Sequence, residues 1–256
     1  MMKKMNDTFK IKKIEYLTEA VYKLLVEKPK DIVVKAGQFF MIKSIGDYPL
    51  LNRPISISNF NEDTLEFGIK TLGIETKRIR QLKPGERIYL LGPLGNGFDI
   101  KETYKEVLLL GGGIGIEPLK AALKVLSNKN IKTTTVLGYK DECFDLEDFK
   151  KYTGEIITFS ETKSKGDYFG YPTDALEKIL SEGNFDGVFT CGPEVLMAKV
   201  NKISKVYNVE TQLLLEEKMA CGIGACLGCT CETKNGYKKV CTDGPMFSGD
   251  EVLFNE

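Results

Sequence analysis

The 256-residue chain contains no histidine, which removes imidazole acid–base catalysis, His-liganded zinc and Rieske-type ligation together. It carries no net charge, because 36 Lys and Arg balance 36 Asp and Glu in a well-mixed order. No basic field therefore draws it to a phosphate backbone, and nucleic acid is not an expected partner. No apolar run approaches the ~20 residues that span a bilayer. Met1-Met2-Lys3-Lys4 leads into polar Asn6-Asp7-Thr8 rather than an apolar signal core. The expectation is a cytoplasmic protein with no membrane contact. A disulfide framework is missing too: the seven cysteines are odd in number and bunched mostly between 221 and 241, which suits metal or redox chemistry in a reducing compartment.

What is present is an ordinary globular composition, 42% hydrophobic and 28% charged, which argues against both disorder and a membrane bundle. The length suits two domains and a small appendage. Residues 1–100 read as an all-β unit of short β-branched and aromatic strands, Phe9-Tyr16, Val21-Glu27, Gln38-Lys43, Pro54-Phe60, Thr64-Lys70 and Arg87-Leu91. One short helix, Thr76 to Leu82, precedes a type II turn at Lys83-Pro84-Gly85-Glu86. A small barrel is expected there. Residues 101–210 alternate strands (Glu106-Leu110, Thr133-Gly138, Ile156-Phe159, Gly187-Thr190) with helices (Pro118-Ser127, Thr173-Ser181, Glu194-Tyr207), the rhythm of a parallel α/β sheet. Val107-Leu108-Leu109-Leu110 is apolar at every position, as a central strand covered on both faces requires. Residues 211–256 are rich in Gly and Cys and too few to bury a core, so a cofactor is expected to staple them.

The cysteine spacing identifies that cofactor. Cys221, Cys226 and Cys229, followed by Cys241, give the C-x4-C-x2-C…C pattern of plant-type 2Fe-2S sites. Gly222, Gly224 and Gly228 suit a loop that wraps a cluster and turns N–H groups toward sulfur. Cys231 competes with Cys241 for the fourth position. Taking Asn235-Gly236 as a two-residue type I′ turn, residues 234 and 237 face each other, Thr230 pairs with Cys241, and Cys231 pairs with Val240 on the opposite face. That register selects Cys241. A four-cysteine zinc site is the alternative, but such sites usually come as two C-x2-C pairs. Cys143 stands apart and reads as a small buried hydrophobe, as does Cys191 taken alone.

Four further segments suggest nucleotides. Arg53-Pro54-Ile55-Ser56 begins a strand where Pro is tolerated, with Pro54 and Ser56 on one face and Arg53, a candidate phosphate clamp, and Ile55 on the other. Gly73 and Thr76 open a short helix whose N–H groups form a pyrophosphate cradle. Gly111-Gly112-Gly113-Ile114-Gly115 follows a buried strand and opens a helix, the context of a nucleotide-binding glycine loop. Ile116 stands where the third glycine of G-x-G-x-x-G belongs and no acidic residue ends the next strand, which suits transient nicotinamide rather than tightly held NAD. Cys191-Gly192-Pro193 ends a later strand at the carboxyl edge, where such sheets bind ligands.

Taken in order, these motifs, together with Leu91-Gly92-Pro93-Leu94-Gly95-Asn96-Gly97-Phe98, resemble the ferredoxin-NADP reductase superfamily. Within it they resemble the electron-transfer subunits of NAD-dependent dihydroorotate dehydrogenases, over nearly the whole chain. The resemblance implies a ferredoxin reductase-like two-domain module, β-barrel plus α/β, with a small C-terminal 2Fe-2S segment. It implies FAD in the barrel, with Arg53, Pro54, Ile55 and Ser56 near the flavin and Lys70, Thr71, Leu72, Glu75 and Thr76 along the ribityl and phosphate groups. In that family a Gly usually stands at the position of Glu75, so its charge beside a pyrophosphate is a departure. Nicotinamide is implied at Gly111, Gly112, Gly113, Gly115, Cys191, Gly192 and Pro193, with NAD a diffusible substrate. The chain would be an oxidoreductase subunit in pyrimidine biosynthesis, relaying electrons between NAD and a separate FMN-containing dihydroorotate dehydrogenase subunit in a heterotetramer. Rival readings are the flavin and 2Fe-2S subunit of an NAD(P)H:ferredoxin oxidoreductase or sulfide dehydrogenase, where an Asp commonly replaces the Cys at position 221, and a redox sensor acting through cluster loss.

Overall fold

The computed structural model describes residues 5–162 and 165–254; Met1–Lys4, read above as leading into a polar stretch rather than an apolar signal core, lie outside them. Strands β1 (Met5–Tyr16), β2 (Val21–Glu27), β3 (Phe39–Ser44), β4 (Arg53–Phe60), β5 (Thr64–Lys70) and β6 (Arg87–Leu94) close into an antiparallel barrel in the order β1-β2-β5-β4-β3-β6. The period of two drives closure. Tyr22, Leu24 and Val26 point inward with Phe40, Ile42 and Phe67, whereas Lys23 points outward and is buried only because another domain covers it. The turn before β6 forms as expected, with the Glu86 N–H donating to the Lys83 carbonyl at 3.1 Å and Gly85 at φ +96°. Helix α1 (Ile74–Gln81) starts two residues earlier than its sequence pattern suggests. The reason is that Thr76 Oγ1 accepts the N–H groups of Leu72 and Gly73 and ties the turn ahead of it.

The second layer is a seven-stranded sheet in the order β10-β9-β8-β7-β11-β12-β15. Its strands are β7 (Glu106–Gly112), β8 (Lys132–Tyr139), β9 (Glu155–Ser160), β10 (Tyr168–Phe169), β11 (Gly187–Cys191), β12 (Thr211–Leu214) and β15 (Met246–Ser248), all parallel except β15. Val107 to Leu110 are fully buried on both faces. The connecting helices are α2 (Ile116–Asn128), α3 (Leu146–Lys150), α4 (Leu176–Glu182) and α5 (Glu194–Val206). The single helix expected over 173–181 is split, because Tyr171 N–H donates to Asp174 Oδ2 and closes a 3₁₀ turn at Pro172–Asp174 before α4 begins. Helix α3 and strands β10, β12 and β15 are too short for periodicity to reveal. Among the described residues no helix is long and apolar enough to cross a membrane.

The C-terminal residues do not hang free. Strand β15 runs antiparallel to β12 and forms the sheet edge, Asn96 N–H donates to the Gly244 carbonyl at 2.6 Å, and one apolar cluster joins Phe39, Met41 and Leu94 of the barrel to Cys229, Cys241 and Phe247. The remaining hairpin, β13 (Thr230–Thr233) and β14 (Gly236–Lys239), corrects the expected register. Thr233 pairs with Gly236 and Thr230 with Lys239, so Lys234 and Asn235 form the turn. Lys234 N–H donates to the Glu251 carbonyl at 2.9 Å instead of to Tyr237, and Thr233 bridges Val252, so the tail pulls the ladder two residues along. A slip of two preserves side-chain parity: Cys231 faces Lys238, and Val240, next to Cys241, donates to the Cys229 carbonyl at 3.0 Å.

Candidate functional site

Two connected cavities, about 400 and 880 Å³, lie where barrel, sheet and tail meet, and share Arg53, Pro54, Leu215, Glu216, Glu217 and Met219 on their walls. The smaller lies over the barrel. Arg53, Pro54, Ile55 and Ser56 all line it, joined by Lys70, Leu72, Gly73 and Thr76. The cavity therefore wraps the start of β4 rather than touching one face, while Ile55 also packs against the barrel core. Arg53 Nη1 is held by the carbonyls of Leu51 and Asn52 at 2.8 and 3.3 Å, which steadies its charge at the cavity rim. Thr71 stays behind the wall with a buried hydroxyl that has no hydrogen-bond partner, its N–H bonded to the Ala20 carbonyl.

Glu75 turns away. Its buried carboxylate accepts the Ser44 N–H inside the barrel end and does not line the cavity. Helix geometry is the cause, since residue 75 sits on the α1 face that packs against β3 while the open first turn and Thr76 face the cavity. The charge at position 75 is thus removed from any bound pyrophosphate.

On the sheet side, paired β7 and β11 end together with Gly111 opposite Cys191. A Cβ on Gly115 would lie 2.6 Å from the backbone N and Cα of Gly192, so the glycine loop and the Cys191-Gly192-Pro193 turn touch backbone to backbone. Ile114, Gly115 and Cys191 line the smaller cavity and Gly192 and Pro193 the larger, while Gly111, Gly112 and Gly113 line neither. Burial pushes the Cys191 thiol up to about 12, with the nearby Glu216 charge acting in the same direction; it is a neutral thiol, not a nucleophile.

Beyond Met219 begins the cysteine loop. Gly222 and Gly224 adopt φ +70° and +83°, and the Gly222 backbone lies directly on Met41 of β3. Burial works to raise the Cys221 thiol, but the N–H groups of Ile223 and Cys226, each 3.4 Å from its Sγ, and that of Ala225 outweigh it and bring the thiol to about 6. Cys241 moves the other way, to about 12, through burial and the adjacent Cys229 sulfur. Cys226 thus acts on Cys221, while Cys229 and, more weakly, Cys221 act on Cys241, so the four side chains influence one another. Among the described residues no three of them gather within 4.8 Å. Cys231 looks elsewhere: it lines the larger cavity, and burial followed by the charge of Glu217 raises its thiol.

Sequence reasoning missed Glu117, which lines the smaller cavity from the first turn of α2, fully buried. An acidic residue at a helix start reads simply as favourable to the helix dipole, so nothing distinguished it. Lys120 behind it was equally silent, as one lysine among many.

Comparison with known proteins accords with this geometry. The family described as the iron-sulfur cluster binding domain of dihydroorotate dehydrogenase B matches residues 216–253. The chain is 38% identical over 247 residues to the dihydroorotate dehydrogenase B (NAD(+)) electron transfer subunit of Clostridium perfringens, covering 96% of this chain and 97% of that protein. It is 42% identical over 222 residues to the subunit of the same name from Caldanaerobacter subterraneus subsp. tengcongensis, covering 85% and 87%. Among solved structures, a chain of the NADH-dependent reduced ferredoxin-NADP oxidoreductase superimposes with a TM-score of 0.87 at 28% identity, over 98% of this chain and 91% of that one.

Proposed function

The chain belongs to the electron-transfer subunits of NAD(+)-dependent dihydroorotate dehydrogenase B, and from that membership we propose that it links a separate FMN-containing dihydroorotate dehydrogenase subunit to NAD, in a cytoplasmic heterotetramer serving pyrimidine biosynthesis. The observation that carries the reading is the meeting of three sites in one crevice. Met219, two residues ahead of Cys221, lines the cavity shared by Arg53 and Cys191.

When bound, a 2Fe-2S cluster would supply single-electron transfer and FAD would supply hydride exchange with NAD. The residues of this chain hold, orient and shield. Cys221, Cys226, Cys229 and Cys241 are the proposed ligands, and the N–H groups on Cys221 favour the thiolate that ligation requires. Arg53 to Ser56 hold the flavin end of FAD. Lys70 and the open first turn of α1 hold its pyrophosphate, with Leu72 and Thr76 beside them. The paired backbones of Gly115 and Gly192 give NAD a flat approach. Residues 1–100, 101–210 and 211–256 carry these three tasks.

The loop around the proposed ligands presents Cys226, Ile223 and Leu227 to solvent, a face suited to the partner subunit. Co-expression with the candidate FMN subunit should give dihydroorotate-dependent NAD reduction well above that of either chain alone. A complex that reduces NAD with ferredoxin but not with dihydroorotate would overturn the assignment in favour of the ferredoxin oxidoreductase reading.

A further inference from the structure

Glu117 is an anomaly in the flavin cavity. Its side chain is 2% exposed, yet neither carboxylate oxygen has a hydrogen-bond partner. It lies over Gly68 of β5, where a Cβ would come within 2.3 Å of its Cγ, Cδ and Oε2. Gly68 and Glu117 line the cavity together with Ser56. The absent side chain at 68 is thus the slot that lets a carboxyl reach the cavity wall.

The surroundings leave Glu117 poorly served as an anion. Its nearest cation, Lys120 of the same helix, stands 3.4 Å away and is shared with Glu66 of β5 and with Asp145 and Asp148 at the start of α3. Lys23 of β2 is occupied by the same two aspartates. The Tyr139 hydroxyl of β8 donates to the Phe144 carbonyl and offers Glu117 nothing. Within the cavity Arg53 and Lys70 are opposed by Glu216 and Glu217. Burial is the dominant influence and, against the pull of Lys120, raises the Glu117 carboxyl to about 7. A buried carboxyl that is protonated has one O–H to donate, and neither Glu117 oxygen has a hydrogen-bond partner in the protein. The cavity lies open beside it.

We propose that Glu117 is a proton-holding residue of the flavin site: its carboxyl takes up a proton as FAD enters and donates a hydrogen bond to an acceptor atom of the bound cofactor. The proposal rests on the cavity being the FAD site. It makes FAD affinity a function of pH, because the ionised form must gain a proton before the cofactor seats. Glu66, Asp145 and Asp148 keep lysine partners whether or not the cavity is filled, so Glu117 is the group whose partner arrives with the ligand.

The test uses flavin-free full-length chain and FAD, with affinity followed by flavin fluorescence and by calorimetry in buffers of different ionisation enthalpy. One proton with a free pKa near 7 raises the Kd about tenfold between pH 6 and pH 8, with uptake of about one proton per FAD at pH 8. In Glu117→Gln, whose amide keeps a donor but cannot titrate, Kd should be flat over that range. A flat Kd or absence of proton uptake in the unsubstituted chain overturns the proposal without any variant being needed. Wild-type pH dependence surviving in Glu117→Gln overturns it as well, and assigns the proton elsewhere in the ion cluster. Failure of FAD to bind at any pH instead removes the cavity assignment on which the proposal stands.

Discussion

Replacement of Lys120 by Met tests the ion cluster that joins barrel to sheet. Lys120 has no exposed side-chain surface. Its ammonium lies 2.8 Å from Glu66, 3.4 Å from Glu117 and 3.8 Å from Asp148, and it also bonds Asp145. Met fills similar volume without the charge, leaving Asp145 and Asp148 with Lys23 and, among the described residues, Glu66 and Glu117 with no buried lysine in ion-pair range. Removing one partner of a buried ion pair costs ~3–5 kcal/mol, and for a chain of this size each kcal/mol moves Tm by about 2–4 °C, so Tm should fall by roughly 6–20 °C. Burial works to lower the Lys120 pKa, but the charges of Glu117, Glu66 and Asp145 outweigh it and hold the pKa above its ordinary value. Its contribution is therefore complete below the unfolded lysine pKa and is lost only as pH rises above it.

In the variant the orphaned carboxyls bind protons more tightly in the folded than in the unfolded chain, so stability falls with rising pH. Glu117 and Asp145, both already raised by burial, set the window: the deficit should be largest at pH 8 and shrink toward pH 5. Urea unfolding followed by circular dichroism at both pH values measures it. Asp145→Asn in the Lys120→Met background should restore part of the loss, since Asn tolerates the φ of +61° found at that position. A deficit under about 1 kcal/mol, or one equal at pH 5 and pH 8, would refute the reasoning.

Serine at Cys221, Cys226, Cys229 or Cys241 should lower iron content and visible absorbance while leaving FAD bound, and serine at Cys231 should change neither; iron loss in Cys231→Ser would reopen the ligand set. Gly115→Ala puts a methyl 2.6 Å from the backbone of Gly192, an overlap costing about 1–3 kcal/mol. The KM for NAD should rise with FAD content unchanged, and a KM within about twofold of the parent would show that the close approach is not used.

The barrel and the central sheet strands were legible because period-two alternation in β2 and the unbroken apolar run of β7 each have one structural meaning. The C-terminal iron-sulfur segment was legible in its C-x4-C-x2-C spacing. The hairpin was not, because Asn235-Gly236 is a good local turn overridden by a distant contact, Lys234 to Glu251. Nor was Glu75, whose direction depends on which face of a two-turn helix meets β3. Glu117 and Lys120 were invisible for a related reason: charged residues are normally solvated, and their burial appears only once two domains close over them.

Strand β15 gives the tail a place in the sheet, and Gly222 rests on the barrel. The cluster loop is therefore riveted to the frame, not carried on a tether. A tethered carrier spends part of each cycle in transit, and its throughput drops as the solvent thickens. Here there is no stroke to slow: the cadence of transfer inside this chain follows distance and driving force, and added glycerol should leave it untouched.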